Sequence, residues 1–168
     1  MVETYHKTVA RIKTLLDEHA LSYQCFEHEA VRTSEEAAAI RPEYTIAQGA
    51  KALIVRIKRK NVPKENEKQF VQIVVPGDAR FDPSKARSVL QAKDIRFATT
   101  EEVAEITEGV QPGGVPPFGV LWNLPVYVEE TLLKNDDIIF NAGDRRYSIA
   151  MSSTDYVNVV APTVVSIV

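Results

Sequence analysis

Apolar residues recur at two spacings along the chain, and each spacing predicts a different kind of element. Helical spacing between about Thr4 and Glu18 predicts an amphipathic helix with one apolar face, formed by Tyr5, Val9, Ile12 and Leu16. The runs AKALIVRIK and KQFVQIVVP are rich in β-branched residues and predict two strands. The polar, basic segment between these runs fits a β-hairpin connection.

Helix start signals divide the remaining sequence. Thr33 stands three residues before Glu36 and opens SEEAAAI, a short helix that Pro42 stops. An Asp-Pro pair at 82–83 starts a helix over PSKARSVLQA. A second Thr-x-x-Glu pattern at 99–102 precedes EEVAEI, and Gly109 ends that helix.

Further strands are predicted in LSYQCFEH, PVYVEE, DIIFNAG, RRYSIAMS and TVVSIV, with a helix from about Ser153. Helices are inserted irregularly among these strands, and no repeat or linker interrupts the order. We therefore expect an α+β fold with a mixed sheet, forming one domain over residues 1–168.

Composition narrows the class of protein. The N-terminal residues alternate charged and apolar side chains, so they resemble neither a signal peptide nor a membrane-spanning helix. The longest uncharged stretch, GVQPGGVPPFGVLWNLPVYV, is broken by prolines. Cys25 is the sole cysteine, which excludes an internal disulfide and a cysteine-rich metal site. We expect a cytosolic protein without membrane contact.

The formal net charge of −3 provides no overall basic field, but the charge is uneven. We call residues 51–68 the basic segment: it holds seven Lys or Arg against Glu65 and Glu67. Such a segment can bind a phosphate backbone. It can equally be a solvated hairpin tip that prevents edge-to-edge strand pairing, and charge alone favours this second interpretation.

Common catalytic patterns are missing from the sequence. The three histidines, His6, His19 and His28, are widely separated and have no second ligand at metal spacing. There is no P-loop, no dinucleotide fingerprint and no serine in a glycine-flanked elbow. We expect neither a metal nor a cofactor.

Lys51 is the cation that most needs an explanation, because it precedes the apolar run Ala52–Val55. One role is to face a cleft and meet negative charge on a substrate, either a phosphate or a developing oxyanion. A second is a neutral lysine acting as base or nucleophile, which requires a lowered pKa. A third is a side chain that only reaches out to water.

Two glycine-containing loops are candidates for ligand binding. QPGGVPPFG combines glycines with prolines that fix φ, so backbone N–H groups of Gly113, Gly114 and Val115 could bind a carbonyl or an anion. A stiff crossover between strands explains the loop equally well. In FNAGDRRYS, Asn141 and Ser148 are polar within apolar strands, so they bond each other or face a ligand.

Three segments in register carry a family resemblance. GAKALIV, GGVPPFG and NAGDRRYSIAMS, together with FEHEAVRTSEEAA upstream, resemble the YbaK and prolyl-tRNA synthetase insertion-domain family of aminoacyl-tRNA deacylases. The resemblance extends from about Leu21 to Val168. It implies a curved, barrel-like mixed sheet and hydrolysis in trans of the aminoacyl ester on a wrongly charged tRNA.

The resemblance also implies site residues. Lys51 matches the family's lysine and is the expected catalytic residue. The expected substrate-binding residues are Phe26, Thr33, Gly113, Gly114, Pro117, Phe118, Gly119, Asn141, Gly143 and Ser148. Members specific for alanyl-tRNA carry a histidine in the turn where this chain has NAGDRR, which argues against alanine specificity.

Two functions of different class follow. The first is an editing hydrolase that removes amino acids from mischarged tRNA, with tRNA(Pro) as the expected tRNA. The second is a non-catalytic module that binds an aminoacyl or nucleotide end and associates with a synthetase, prolyl-tRNA synthetase being the candidate partner. The sequence indicates neither the amino acid removed nor the number of subunits.

Overall fold

The computed structural model describes residues 4–168, so the first three residues of the domain predicted over 1–168 lie outside the described residues. The described chain contains five α-helices and eight strands. The helices are α1 (Lys7–Glu18), α2 (Ser34–Ile40), α3 (Pro83–Val89), α4 (Thr100–Thr107) and α5 (Ser153–Val160). The strands are β1 (Gln24–Glu27), β2 (Ala50–Arg59), β3 (Lys68–Pro76), β4 (Ala92–Phe97), β5 (Val126–Glu129), β6 (Asp137–Asp144), β7 (Tyr147–Ser152) and β8 (Thr163–Val165).

The hairpin formed by β2 and β3 is the centre of a five-stranded sheet. Its two strands pair antiparallel from Ala50 opposite Pro76 to Lys58 opposite Lys68, as the sequence pattern predicts. The strand order is β4-β2-β3-β5-β8, with β5 parallel to both β3 and β8. The predicted mixed sheet and the α+β class are therefore confirmed.

A second, three-stranded antiparallel sheet has the order β1-β7-β6. A single bridge between Gly49 and Ile139 links the start of β2 to β6. Within residues 4–168 the pairing forms two sheets and does not close into a continuous barrel. The barrel-like curvature implied by the resemblance stays a prediction, whereas the junction of the two sheets is well defined.

Side-chain caps set the helix boundaries much as predicted. Asp82 accepts hydrogen bonds from the backbone N–H groups at the start of α3, and Pro83 occupies its first turn. Thr99 and Glu102 form a full capping box on α4. Thr33 caps α2 by accepting from the Glu36 N–H.

Two boundaries differ from the sequence prediction. Helix α1 begins at Lys7 rather than Thr4, because the His6 side chain accepts the Thr8 N–H and caps the helix there. The helix predicted to reach Ala92 ends at Val89, since Gln91 has a φ of 51° and Ala92 already pairs with β2. The sequence pattern did not predict strand β4. It is an edge strand in which only Ala92 is buried, so its apolar residues show no clear alternation.

Apolar clusters cover both faces of the central sheet. On one face Leu53, Val55 and Ile57 of β2 pack in a cluster that includes residues of α3. The largest cluster joins α1 and α5 to the three-stranded sheet, and in it the Phe118 ring contacts the rings of Phe140 and Tyr156. Among residues 4–168, no helix has the length and apolar content needed to cross a membrane.

We call residues 111–119, QPGGVPPFG, the Gly/Pro loop. Gln72 is a fully buried polar residue of β3 that holds this loop against the sheet. Its Nε2 donates to Pro116 O at 2.9 Å, and its Oε1 accepts from the Gly119 N–H at 2.9 Å. The side chain thus satisfies one donor and one acceptor of a loop backbone that water cannot reach.

Replacing Gln72 with leucine removes both hydrogen bonds while keeping the volume similar. We expect Gln72→Leu to lower the free energy of unfolding by roughly 2–6 kcal/mol, since it leaves two buried groups unpaired at about 1–3 kcal/mol each. Chemical denaturation measures this change. Gln24→Leu, at an exposed position of β1, is the control; equal stability losses in the two variants would contradict the role of Gln72.

Candidate active site

A cavity of about 590 Å³ opens where the two sheets meet. Its walls come from the start of β2, the loop after β3, helix α2 with the turn that follows it, the Gly/Pro loop and β6. The lining residues are Arg32–Glu35, Ala37, Ala38, Arg41, Tyr44–Ile46, Gly49–Leu53, Gly77–Arg80, Gly113, Val115 and Ile139–Asn141. This volume is in the range of small-molecule sites and is large enough for an aminoacyl nucleoside.

Lys51 reaches the cavity from the end of an apolar row. Side chains alternate along a strand, so Lys51 shares its face of β2 with Leu53 and Val55, which are covered by the core. The Lys51 ammonium lies outside this apolar cluster and donates to Ala79 O at 2.6 Å. Lys51 is therefore a partly buried lysine with a fixed partner, and it lines the cavity.

The loop after β3 places Ala79 O, the hydrogen-bond partner of Lys51, beside the start of β2. A Cβ at Gly77 would lie 2.7 Å from Ile46 O and 3.1 Å from the Ser34 side chain, so the approach requires glycine. The Gly77 N–H also donates to Gly49 O. These contacts join the loop, the start of α2 and the start of β2 into one wall.

The electrostatic surroundings of Lys51 are mixed. Burial, followed by repulsion from Arg80, lowers the pKa of the Lys51 ammonium, while the carboxylates of Glu35 and Asp78 oppose this shift. The lysine is thus less hydrated than a surface lysine but keeps anionic neighbours. Such an ammonium can stabilise negative charge on a ligand more strongly than one in open water.

Gly113 and Asn141 meet at the opposite wall. Asn141 Nδ2 donates to Gly113 O at 2.7 Å, which fixes the Gly/Pro loop to β6. Gly113 has a φ of 88°, a left-handed conformation that glycine adopts without strain. Both residues line the cavity, together with Thr33, which caps α2. Substrate binding by these three residues stays a prediction.

Behind this wall lies a polar network centred on Ser148, which is fully buried. Arg41 Nη1 donates to Ser148 Oγ at 2.8 Å, and Ser148 Oγ lies 3.3 Å from Asn141 Oδ1. His28 Nδ1 contacts Glu29 O, a pure acceptor, so this nitrogen carries the hydrogen. His28 Nε2 is then free to accept the Ser148 hydroxyl at 2.6 Å.

Several residues of the Gly/Pro loop lie outside the cavity lining. The Gly114 N–H donates to Gln111 O, so the prediction that this group is available to a ligand is wrong. Pro117 O accepts from Tyr156 Oη, Phe118 is fully buried in the core, and Gly119 bonds Gln72. These three residues contact the core and Gln72 rather than the cavity, so they hold the loop in its conformation.

Gly143, Phe26 and Ser148 also lie away from the lining. Gly143 has a φ of 100° and contacts Thr8 so closely that a Cβ would lie 2.5 Å from Thr8 Cβ. Gly143 and Gly114 both line a second cavity, which is separate from the cavity at Lys51. Phe26 pairs with Ser148 across β1 and β7 and stacks edge-on against Tyr44, a lining residue. Direct substrate contact by these three residues therefore stays a prediction.

Sequence reasoning missed part of the lining. The Ala79 carbonyl and Arg41 carry no motif of their own, and both depend on chain segments that meet only in the fold. The apolar lining combines short side chains such as Ala37 and Ala52 with larger ones such as Leu53, Ile139 and Phe140, and Phe118 is not part of it. Within residues 4–168 no three His, Cys, Asp or Glu side chains gather closely enough to hold a metal ion.

Comparison with known proteins identifies the family. The sequence profile of the aminoacyl-tRNA editing domain matches residues 28–159. The multifunctional Ser/Thr-tRNA deacylase ProXp-y of Escherichia coli is 30% identical over 160 residues, covering 95% of this chain and 92% of that protein. The proline–tRNA ligase of Bacillus subtilis is 28% identical over 149 residues, which cover 88% of this chain but only 24% of that enzyme.

A solved structure of a proposed trans-editing enzyme for prolyl-tRNA synthetase superimposes with a TM-score of 0.77 at 25% identity, covering 98% of both chains. This chain belongs to the aminoacyl-tRNA editing domain family. The family resemblance seen in the sequence and the enzyme class that it implies, an aminoacyl-tRNA deacylase, are thereby confirmed.

The Ser148 network predicts a pH dependence of stability. Burial lowers the pKa of His28 below its ordinary value of 6.5. The fold thus prefers neutral His28, so this contribution to stability is present above pH 6.5 and is lost as the pH falls through the folded pKa. We expect the melting temperature to fall between about pH 7 and pH 5, and to fall less steeply in His28→Asn.

Calorimetry of both proteins across this range measures the slopes. Burial also lowers the pKa of His6, so the variant retains part of the wild-type slope. A His28→Asn slope equal to or steeper than that of the wild type would show that His28 is not held neutral by the fold.

Proposed function

We propose that this protein hydrolyses the ester of mischarged aminoacyl-tRNA in trans, with Lys51 and the loop at Gly113 forming the reaction site. The observation that carries the proposal is the cavity in which the Lys51 ammonium and the loop held by Asn141 both line one space. Family membership supports the reaction class. The residue roles rest on this geometry.

The chemistry requires charge stabilisation more than a protein base. Water attacks the ester carbon, negative charge develops on the carbonyl oxygen, and the ribose oxygen leaves with a proton, giving free amino acid and tRNA. No histidine lines the cavity among the described residues, and the adjacent ribose hydroxyl of the substrate can help activate the water. Lys51 would stabilise the oxyanion while the Gly113 loop positions the ester.

A charged Lys51 fits this role better than a neutral one. Its ammonium donates to Ala79 O and lies near Glu35 and Asp78, all of which favour the protonated form. Ester hydrolysis also offers no free aldehyde or ketone that a neutral amine could convert into a Schiff base. We therefore assign Lys51 an electrostatic role.

The expected substrate is tRNA(Pro) charged with a small amino acid. Similarity to proline–tRNA ligases supports the tRNA, and the name of the E. coli relative supports serine and threonine as the amino acids. Short lining side chains at Ala37, Ala38 and Ala52 leave room for either. A deacylation screen against tRNA(Pro) and other tRNAs charged with Ala, Ser, Thr and Cys tests the assignment.

The second candidate is a non-catalytic module that binds the aminoacyl end beside a prolyl-tRNA synthetase. The synthetase relatives favour it, since this chain matches only a part of each of them. The screen separates the two functions, because a module binds the charged end without releasing the amino acid.

Lys51→Ala tests the catalytic assignment. We expect deacylation to slow by about 10²–10³, the usual cost of removing one preorganised charge-stabilising group. The melting temperature should change little, because the ammonium lies outside the apolar cluster. Lys85→Ala, at an exposed position of α3, is the control. A Lys51→Ala protein with wild-type turnover would overturn the assignment.

Residues 58–64 of the basic segment lie at the far end of the same hairpin from Lys51. Lys58 is seven residues beyond Lys51 on β2, a distance of about 23 Å at ~3.3 Å per residue. Arg56 pairs with Asp94 and Arg59 donates to Gln69, whereas no described carboxylate lies within 4 Å of the Lys58, Lys60 or Lys64 ammonium. These three lysines are the best candidates for contacts to the tRNA backbone.

Reversing Lys58, Lys60 and Lys64 to glutamate tests this interaction. We expect weaker tRNA binding for all sequences and a flatter salt dependence, with the log–log slope reduced by ~1 for each phosphate that the variant no longer binds. The amino-acid preference should stay the same, because these three lysines do not line the cavity. An unchanged slope, measured by deacylation at low and moderate salt, would make the segment a solvated hairpin tip.

A further inference from the structure

Four cations line the cavity, Arg32, Arg41, Lys51 and Arg80, and of these only Arg41 is buried. Arg41 directly follows α2, lines the cavity and is only 6% exposed. Its Nε donates to Ala37 O at 3.2 Å and its Nη1 to Ser148 Oγ at 2.8 Å. Two of the five guanidinium N–H donors are thereby used, and both partners are neutral.

No described carboxylate lies within ion-pair distance, 4 Å, of this guanidinium within residues 4–168. Burial lowers the pKa of Arg41, and the nearby Glu43 and Tyr44 oppose this shift only from a distance. An arginine nevertheless stays protonated. Withdrawing a cation from water without a counter-charge is costly, so the arrangement indicates that a bound ligand supplies the anion.

Arg41 and Lys51 differ in what they can bind. Lys51 already has the carboxylates of Glu35 and Asp78 nearby, and its compact ammonium suits a single oxygen. The planar guanidinium of Arg41 suits a group that offers two oxygens in one plane, as a phosphate does. A transition-state oxyanion is one atom and is absent from the bound ground state, so it cannot compensate Arg41 when substrate binds.

We propose that Arg41 binds the phosphate attached to the 5′ oxygen of the terminal adenosine of the substrate. This inference rests on the proposed function, since it assumes that the cavity receives the aminoacylated 3′ end of tRNA. That end carries no other anion close to the ester. Arg41 is then the anchor of the terminal nucleotide, and Lys51 acts on the ester.

Arg41 lies close to the Gly113 loop but does not hold it. Arg41 Nη1 donates to Ser148 Oγ, and the Ser148 hydroxyl hydrogen is directed to His28 Nε2, so the hydrogen bonds do not continue from Ser148 to Asn141. Asn141 holds the loop by donating to Gly113 O. We therefore expect the loop to stay in place when the Arg41 guanidinium is removed.

Nucleotides that differ in one phosphate test the proposal. The binding of adenosine and of adenosine 5′-monophosphate to the wild-type protein is compared by calorimetry or by inhibition. We expect the monophosphate to bind about 10–100-fold more tightly, as for a charge-assisted hydrogen-bonded pair. Arg41→Met should remove this preference and leave adenosine binding unchanged. Arg87→Met, on α3 and away from the cavity, should retain it.

Turnover provides the second readout. Substrates are 3′-O-seryl-adenosine and its 5′-monophosphate, and Arg41→Met should lower kcat/KM only for the phosphorylated one, mainly through KM. Lys51→Ala should slow both. Equal losses on both substrates in Arg41→Met, or a wild-type protein that binds the two nucleotides equally, would overturn the proposal.

The wild-type comparison needs no variant, so equal binding of the two nucleotides would overturn the proposal even if Arg41→Met does not fold. It is also independent of the proposed function. If the protein prefers the monophosphate but hydrolyses no aminoacyl ester, the phosphate site is supported and the proposed deacylase function is wrong.

Discussion

The junction of the two sheets is the constraint on which the site depends. A bridge between Gly49 and Ile139 joins the two sheets at the start of β2. Next to this bridge, the side chain of Lys51 extends into the cavity between the sheets. The loop at Gly77 supplies its carbonyl partner only because glycine allows the close approach to Ile46 O. Backbone contacts thus hold a cation in a place where water is scarce, which makes its charge effective on a ligand.

A polar network supports the opposite wall. Ser148 and Asn141 lie on paired strands β7 and β6, so their register alone brings them together. Asn141 then bonds the Gly113 carbonyl, while Gln72 holds the other end of the same loop from the central sheet. The loop is fixed at both ends by side chains from different sheets, which explains how a segment without secondary structure can position an ester.

Sequence reasoning predicted those features that are local. The hairpin of β2 and β3 and the caps at Asp82 and Thr99 follow from residue order and spacing, whereas the site role of Lys51 came from the family resemblance. Arg41 could not be found in this way, because its burial exists only once the folded chain brings its side chain to Ser148 of β7. Phe118 was assigned to the pocket because it lies in a conspicuous motif, yet chain geometry turns it into the core.

The central claim is that the terminal aminoacyl-adenosine binds in the cavity between Lys51 and Gly113. A stable analogue in which an amide replaces the ester, 3′-seryl-amino-adenosine, can be titrated into isotope-labelled protein while backbone amide signals are followed by NMR. The account predicts shifts concentrated at residues 49–53 and 77–80 and at Gly113 and Val115, which line the cavity. Shifts confined to the second cavity, beside Gly143 and Asp144, would contradict it.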